Sequence, residues 1–330
     1  MLTSAPRLPT AFLGGLSWEE RWLELEADVD LDLPAYTGAT LRGALGAVLR
    51  PELCAAQGPC GEVCAQPARC PFYGLFEQSR SENGQGSNVP KPLILEAPLG
   101  EPLRAIACGG PVTPPFELHP GQPLPELRND WRIGLRAGTR LELGLRVLGP
   151  AGAALDGVVE GLRRHGLEVK GGRLRLTGVR GGRQTLHLEP AAGAQQLRLA
   201  LTTPTLIRAG SQTCLDPEQL APLMLKQAVV RAVTVFNTFF AGPADRIPFV
   251  DAAFPEVILI GRRLLRYRLT RHSYRQDRWM DFDGVVGVLE WEGLRPGALA
   301  EVIPWLRAAE VLHLGQKATF GLGRVELTVI

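Results

Sequence analysis

A strand, helix, strand, strand, helix, strand order that occurs twice along the chain predicts an α+β protein of two tandem ferredoxin-like halves, residues 1–194 and 195–330. Two further observations agree with that reading. A length of 330 residues exceeds what one hydrophobic core usually carries. A composition of 45% hydrophobic and 21% charged residues is globular and excludes a largely disordered chain.

The elements follow in order. Leu23, Leu25, Ala27, Val29, Leu31 and Leu33 alternate with acidic residues, a period of two that predicts one half-buried strand closed by Pro34. Leu41, Leu45, Val48 and Leu49 share a helical face that stops before Pro51. Residues 51–90 read as an irregular insertion, and Leu93 to Ala97 as a short strand. Leu141 to Val147 alternate again, Leu155 to Leu162 keep helical spacing with Gly166 as the C-terminal cap, and Arg173 to Arg180 form another strand. In the second half Leu197 to Leu201 make a strand, and Asp216-Pro217-Glu218 is an N-cap signature. That cap opens a helical region to about Phe240, which Pro222 is expected to restart. Strands are expected at Val257 to Tyr274 and Phe282 to Trp291, a helix from Leu299 to Val311, and a last strand from Arg324 to Ile330.

No apolar run reaches the about 20 residues of a membrane helix, and the N-terminus lacks an apolar signal core. The expectation is a soluble cytoplasmic protein. Four of its six cysteines, Cys54, Cys60, Cys64 and Cys70, crowd into the insertion. In a reducing compartment such a cluster points to metal ligands, and tetrahedral zinc would staple a segment too polar to hold its own core. An iron–sulfur cluster and four free thiols are the other readings.

Net charge is only +2, but only four of the 36 basic residues are lysines. Seven arginines fall between Arg262 and Arg278 against one acid, Asp277. Like charges this close repel one another, so a polyanionic partner is expected, with Arg266, Arg268, Arg271 and Arg275 among its contacts. The Gly-rich stretch 315–324 adds Gly315, Lys317, Gly321, Gly323 and Arg324, where glycine lets backbone approach a phosphate and the two cations supply charge.

Arg271 to Gln276, then Gly284-Val285-Val286-Gly287, then His313 to Lys317 through Phe320 to Arg324, resemble the C-terminal half of the CRISPR-associated precursor-crRNA-processing endoribonucleases of the RAMP superfamily. Tyr36 to Ala44 resembles that family's first-helix motif, with Arg42 inside it, and the cysteine-rich insertion is similar to one branch. The resemblance implies binding of CRISPR repeat RNA or crRNA, association with other CRISPR effector subunits, and cleavage that needs no metal. In that reaction the ribose 2′-hydroxyl attacks the adjacent phosphate, leaving a 2′,3′-cyclic phosphate and a 5′-hydroxyl. Such chemistry asks for a base, an acid and cations on the phosphorane. His272 and His313 flank the RNA-facing motifs and are candidates, with Tyr36 as a third participant. Family members often carry a histidine near the first helix, whereas the first histidine here is His119. That departure keeps open an alternative: a non-catalytic RNA-binding subunit of a CRISPR effector complex.

Overall fold

Leu23, Leu25 and Ala27 bury one face of strand β1 (Ser17–Ala27), and the same alternation continues through Leu31 and Leu33 of β2 (Leu31–Pro34). The chain nevertheless breaks between them, where Val29 is exposed and Asp30 accepts a hydrogen bond from the Ala137 amide at 2.8 Å. The single strand expected over this stretch is therefore two. The computed structural model describes residues 9–54, 70–77, 89–107, 123–127, 132–191, 193–210, 212–249, 252–273 and 277–330.

Helix α1 (Gly38–Leu53) follows, running through Pro51 into one further half-turn. Next come β3 (Leu93–Glu96), α2 (Glu101–Ala107), β4 (Glu126–Leu127), β5 (Arg132–Leu135) and β6 (Arg140–Leu148). Helix α3 (Leu155–His165) ends on Gly166 at φ 66°, as its sequence predicts, and β7 (Leu167–Val169) and β8 (Gly172–Thr185) complete the first half. Its sheet has the order β3-β6-β1-β8-β7, every neighbour antiparallel. Helices α1 and α3 cover the leucine-rich face.

The second half repeats this plan with β9 (Gln196–Thr205), β10 (Arg208–Ala209), β11 (Gln212–Thr213), α4 (Pro217–Phe239) and β12 (Val257–Tyr267). It continues through β13 (Thr270–Ser273), β14 (Arg278–Asp281), β15 (Gly284–Gly293), α5 (Ile303–Leu312) and β16 (Val325–Val329). Helix α4 passes through Pro222 unbroken, with the Asp216 carboxylate accepting from the Glu218 amide at 2.9 Å. The main sheet is ordered β16-β9-β15-β12-β4. In each half the first strand lies between the third and fourth, and the second lies outside the third. Arg271 to Ser273 do not extend β12. They turn away and pair with β14 as a separate two-stranded hairpin.

The halves are interlocked. Leu13 and Leu16 near the N-terminus sit in the core of the second half, where the Phe12 ring lies 4.8 Å from Phe236 and 5.9 Å from Trp305. Strand β4, from the first half by sequence, adds a parallel edge to β12. A third, smaller apolar cluster joins Tyr36 and Leu103 to Leu206, Tyr267, Phe282 and Leu322 across the junction. Among the described residues no helix is long and apolar enough to cross a membrane.

Candidate nucleic-acid interface

The Gly-rich stretch is a closed loop on the end of β9. The Leu314 amide donates to the Gly323 carbonyl at 2.7 Å, Gly323 to Pro204 at 3.1 Å, and Gln316 to Leu206 at 3.2 Å. Gly315, Gly321 and Gly323 have φ of 71°, 78° and 76°, a region that side chains disfavour. A Cβ at Gly323 would overlap the Leu314 carbonyl, and one at Gly315 the Leu206 carbonyl. Gly321 and Gly323 are buried. These glycines let the loop turn and pack on its own protein, and the buried Gly321 and Gly323 present no surface of their own. What the loop presents is its tip: Lys317, exposed and itself at φ 68°, with Phe320.

Phe320 is where the cations meet. The Arg42 guanidinium carbon lies 5.0 Å from its ring centroid and that of Arg271 lies 4.8 Å away. Phe282 packs edge-on against Phe320 at 5.3 Å, and the Lys317 ammonium lies 5.6 Å from the Phe282 ring. Although Lys317 is exposed as a residue, partial desolvation of its ammonium lowers its pKa, and the positive charges of Arg208, Arg271 and Arg42 lower it further. Burial lowers that of Arg271 as well. Arg42 also donates to the Phe76 carbonyl at 3.0 Å and approaches the Glu77 carboxylate at 3.8 Å. The site thus draws on α1, β10, β13 and the loop tip, three of them from the second half.

The basic stripe of β12 is mostly neutralised. Arg262 pairs with Glu218, Arg263 with Glu290 at 3.8 Å, Arg266 with Asp283, and Arg268 with Glu126 at 3.0 Å. The acids come from α4, β15, the turn before it and β4, so a charge count along one segment could not see them. Arg324 is likewise engaged, with Glu96 at 3.2 Å and Glu326 at 3.3 Å. Arg266, Arg268 and Arg324 therefore differ from Arg271, which keeps its charge beside Phe320. Arg275 lies outside the described residues. The acidic face of β1 is matched too, by Arg140 on Glu24 and Glu26 and by Arg175 on Glu26.

The catalytic candidates separate. His313 is fully buried, with Nδ1 3.0 Å from the Leu322 carbonyl and Nε2 3.0 Å from Glu96 Oε1. Both ring nitrogens face oxygen atoms of the protein, and neither faces solvent. His313 is in no position to take a proton from a ribose. Tyr36 is also buried, and its hydroxyl donates to the Phe320 carbonyl; burial holds its pKa well above the usual phenol value. Both serve to tie the loop to the first half. His272 lies in β13 beside Arg271, and its side chain is outside the described residues.

Glu96 is the residue that sequence reading missed. Burial alone would raise its pKa, but His313 first, then Arg146 at 2.6 Å and Arg324, bring it down to about 2. A lone carboxylate inside the apolar run Leu93 to Ala97 was the available signal. Arg208 carried none, since a single arginine has no pattern, and Phe320 was visible only as a member of the Gly-rich motif. Of the cysteines, Cys60 and Cys64 lie outside the described residues. Cys54 caps α1, and the buried Cys70 Sγ accepts from the Tyr73 amide at 3.5 Å and lies 3.9 Å from the Leu53 carbonyl. No group of metal-ligating side chains is assembled among the described residues.

Residues 16–198 match a family model described as an N-terminal domain, and residues 199–325 match that of the CRISPR-associated endoribonuclease Cas6. The second half thus carries a domain of the Cas6 endoribonuclease family. That match marks residues 199–325 as an endoribonuclease domain of the Cas6 type. No curated protein matches its sequence. A Thermus thermophilus Cas6 in its product complex is similar in structure, with a TM-score of 0.52 and 16% identity over 95% of this chain and 99% of that one. A partial Cas6-RT-Cas1–Cas2 complex matches at 0.51 and 12% over 96% of this chain and 46% of the other. These likenesses show the mixed α+β fold that this chain shares with them.

Proposed function

We propose that this chain, built of tandem ferredoxin-like halves, binds CRISPR repeat RNA and cuts precursor crRNA by attack of a 2′-hydroxyl on the adjacent phosphate. The products are a 2′,3′-cyclic phosphate and a 5′-hydroxyl end, and no metal takes part. The observation that carries this reading is the convergence of Arg42, Arg271 and Lys317 around Phe320 and Phe282, with Arg208 among the positive charges felt at Lys317. No carboxylate among the described residues pairs with Arg208, Arg271 or Lys317. Clustered cations of this kind are stabilised by a polyanion. The arginines supply charge for the phosphorane. His272, next to Arg271 in β13, remains a candidate base. Other CRISPR proteins are the expected protein partners, in line with the Cas6-RT-Cas1–Cas2 assembly.

Purified protein incubated with its own locus's repeat RNA in EDTA tests this. One defined cut ending in cyclic phosphate is expected. Tight binding with no product would favour the alternative, a non-catalytic RNA-binding subunit, to which the burial of His313 and Tyr36 lends support.

We further propose that Cys54, Cys60, Cys64 and Cys70 hold one structural zinc. The support is the clustering of the four cysteines in one insertion, and the backbone amide that Tyr73 donates to Cys70 Sγ suits a thiolate ligand. Elemental analysis of untagged protein is expected to find about one metal per chain, and none would refute it.

A further inference from the structure

We propose that Lys317 is a catalytic residue, the acid that delivers a proton to the 5′-oxygen as it leaves the scissile phosphate. The proposal rests on the cleavage reading above and deepens it. Departure of a ribose 5′-oxygen as a bare alkoxide is unfavourable, so a positioned acid is worth about 10²–10⁴ in rate. Three of the four cations at the site are arginines, whose guanidinium stays protonated and can only stabilise charge. Lys317 is the one member able to give up its proton.

Its placement fits that task. The loop that carries it is anchored on both sides, by Gln316 to the Leu206 carbonyl before the tip, and by Phe320 to the Lys317 carbonyl at 2.8 Å after it. A side chain launched from so constrained a turn is held for reaction, not searching for it. The ammonium lies over Phe282, with Arg208 of β10, Arg271 of β13 and Arg42 of α1 as its charged neighbours. That surrounding of apolar ring and like charge weakens its hold on the proton. Of the other titratable groups described at this junction, Tyr36 is bonded to the Phe320 carbonyl, His313 to Glu96 and Leu322, and Glu77 to Arg42, while burial pushes Tyr267 up to about 12.

In the step itself the 2′-oxygen forms its bond to phosphorus and gives up its proton to solvent or to a base. The bond from phosphorus to the 5′-oxygen breaks, and the Lys317 ammonium protonates that oxygen. The neutral amine is reprotonated from water before the next turnover.

Single-turnover cleavage of repeat RNA in EDTA by wild type, K317A and K317R tests the assignment, with two substrates. One is ordinary RNA; the other has sulfur in place of the bridging 5′-oxygen at the cut, a group that leaves as a thiolate without protonation. On ordinary RNA both variants are expected to fall about a hundredfold or more, although K317R keeps the charge and binds as wild type does. On the sulfur substrate K317A is expected to recover to within a few fold of wild type. A K317R enzyme of wild-type rate would overturn the proposal. So would a K317A enzyme equally impaired on both substrates. Wild type that binds ordinary RNA without cutting it would overturn the cleavage reading itself, and this assignment with it.

Discussion

Arg268 and Arg271 are three positions apart and behave oppositely, because one meets a carboxylate and the other an aromatic ring. Arg268 is paired with Glu126, while Arg271 lies over Phe320 beside two further cations. Removing one phosphate-binding cation flattens the log–log salt dependence of binding by about one unit. Arg271→Ala is therefore expected to weaken repeat-RNA binding and to lower that slope by about one, and Arg268→Ala to leave the slope unchanged. Titrations at several salt concentrations read both, and equal slopes for the two variants would mean that ion pairing does not sort these arginines. The run of seven arginines made the region legible in sequence. Which of them stay available was not, since the acids that neutralise β12 come from distant segments.

At the scale of elements, the C-terminal end of α5 is where the two halves are clamped. Arg146 of β6 donates to the Glu310 carbonyl at 3.2 Å and the Val311 carbonyl at 3.4 Å, and Arg231 of α4 donates to Leu312 at 3.2 Å. Cations at the last carbonyls of a helix also oppose its dipole. His313, the next residue, points Nε2 at Glu96 of β3, so one carboxylate from the first half holds the start of the loop through His313 and its end through Arg324. A carboxylate whose folded pKa is depressed adds stability above its ordinary value, here 4.5, and loses it as pH falls toward the folded value of about 2. That difference is on the order of 3 kcal/mol. Glu96→Gln is expected to lower the urea midpoint at neutral pH, and the gap between variant and wild type is expected to close between pH 4.5 and 2. A gap that stays constant over that range would show that the Glu96 charge is not what matters. The variant also leaves His313 and Arg146 without their anion, the condition that makes broken buried pairs so destabilising.

For the whole molecule, the segments on either side of residue 194 share a core and a sheet. Leu13, Leu16 and Leu124 belong to the core of the second half, and β4 extends its sheet. A fragment of residues 195–330 is therefore expected to be markedly less stable than the same unit in the full chain, read as a lower thermal midpoint by circular dichroism. Independent two-state unfolding at the midpoint of the intact protein would refute that. Elements were readable because a strand or helix that buries one face must repeat its apolar residues at a period of two or 3.6, and that period is local. The core partners of a single leucine are not local, so Leu13 gave no sign of which half it serves.

By itself the sequence determined the order of elements in both halves, the motif-rich last stretch, and a polyanion as the partner to expect, because periodicity, turn chemistry and charge runs are properties of neighbouring residues. Only the tertiary structure showed that His313 and Tyr36 are buried, that Gly315 and Gly323 leave no room for a side chain, and that the charges of Arg42, Arg208 and Arg271 are felt at Lys317. Burial and electrostatic pairing depend on what other segments bring within a few ångströms, and four residues drawn from positions 42 to 317 carry no shared pattern until the chain folds.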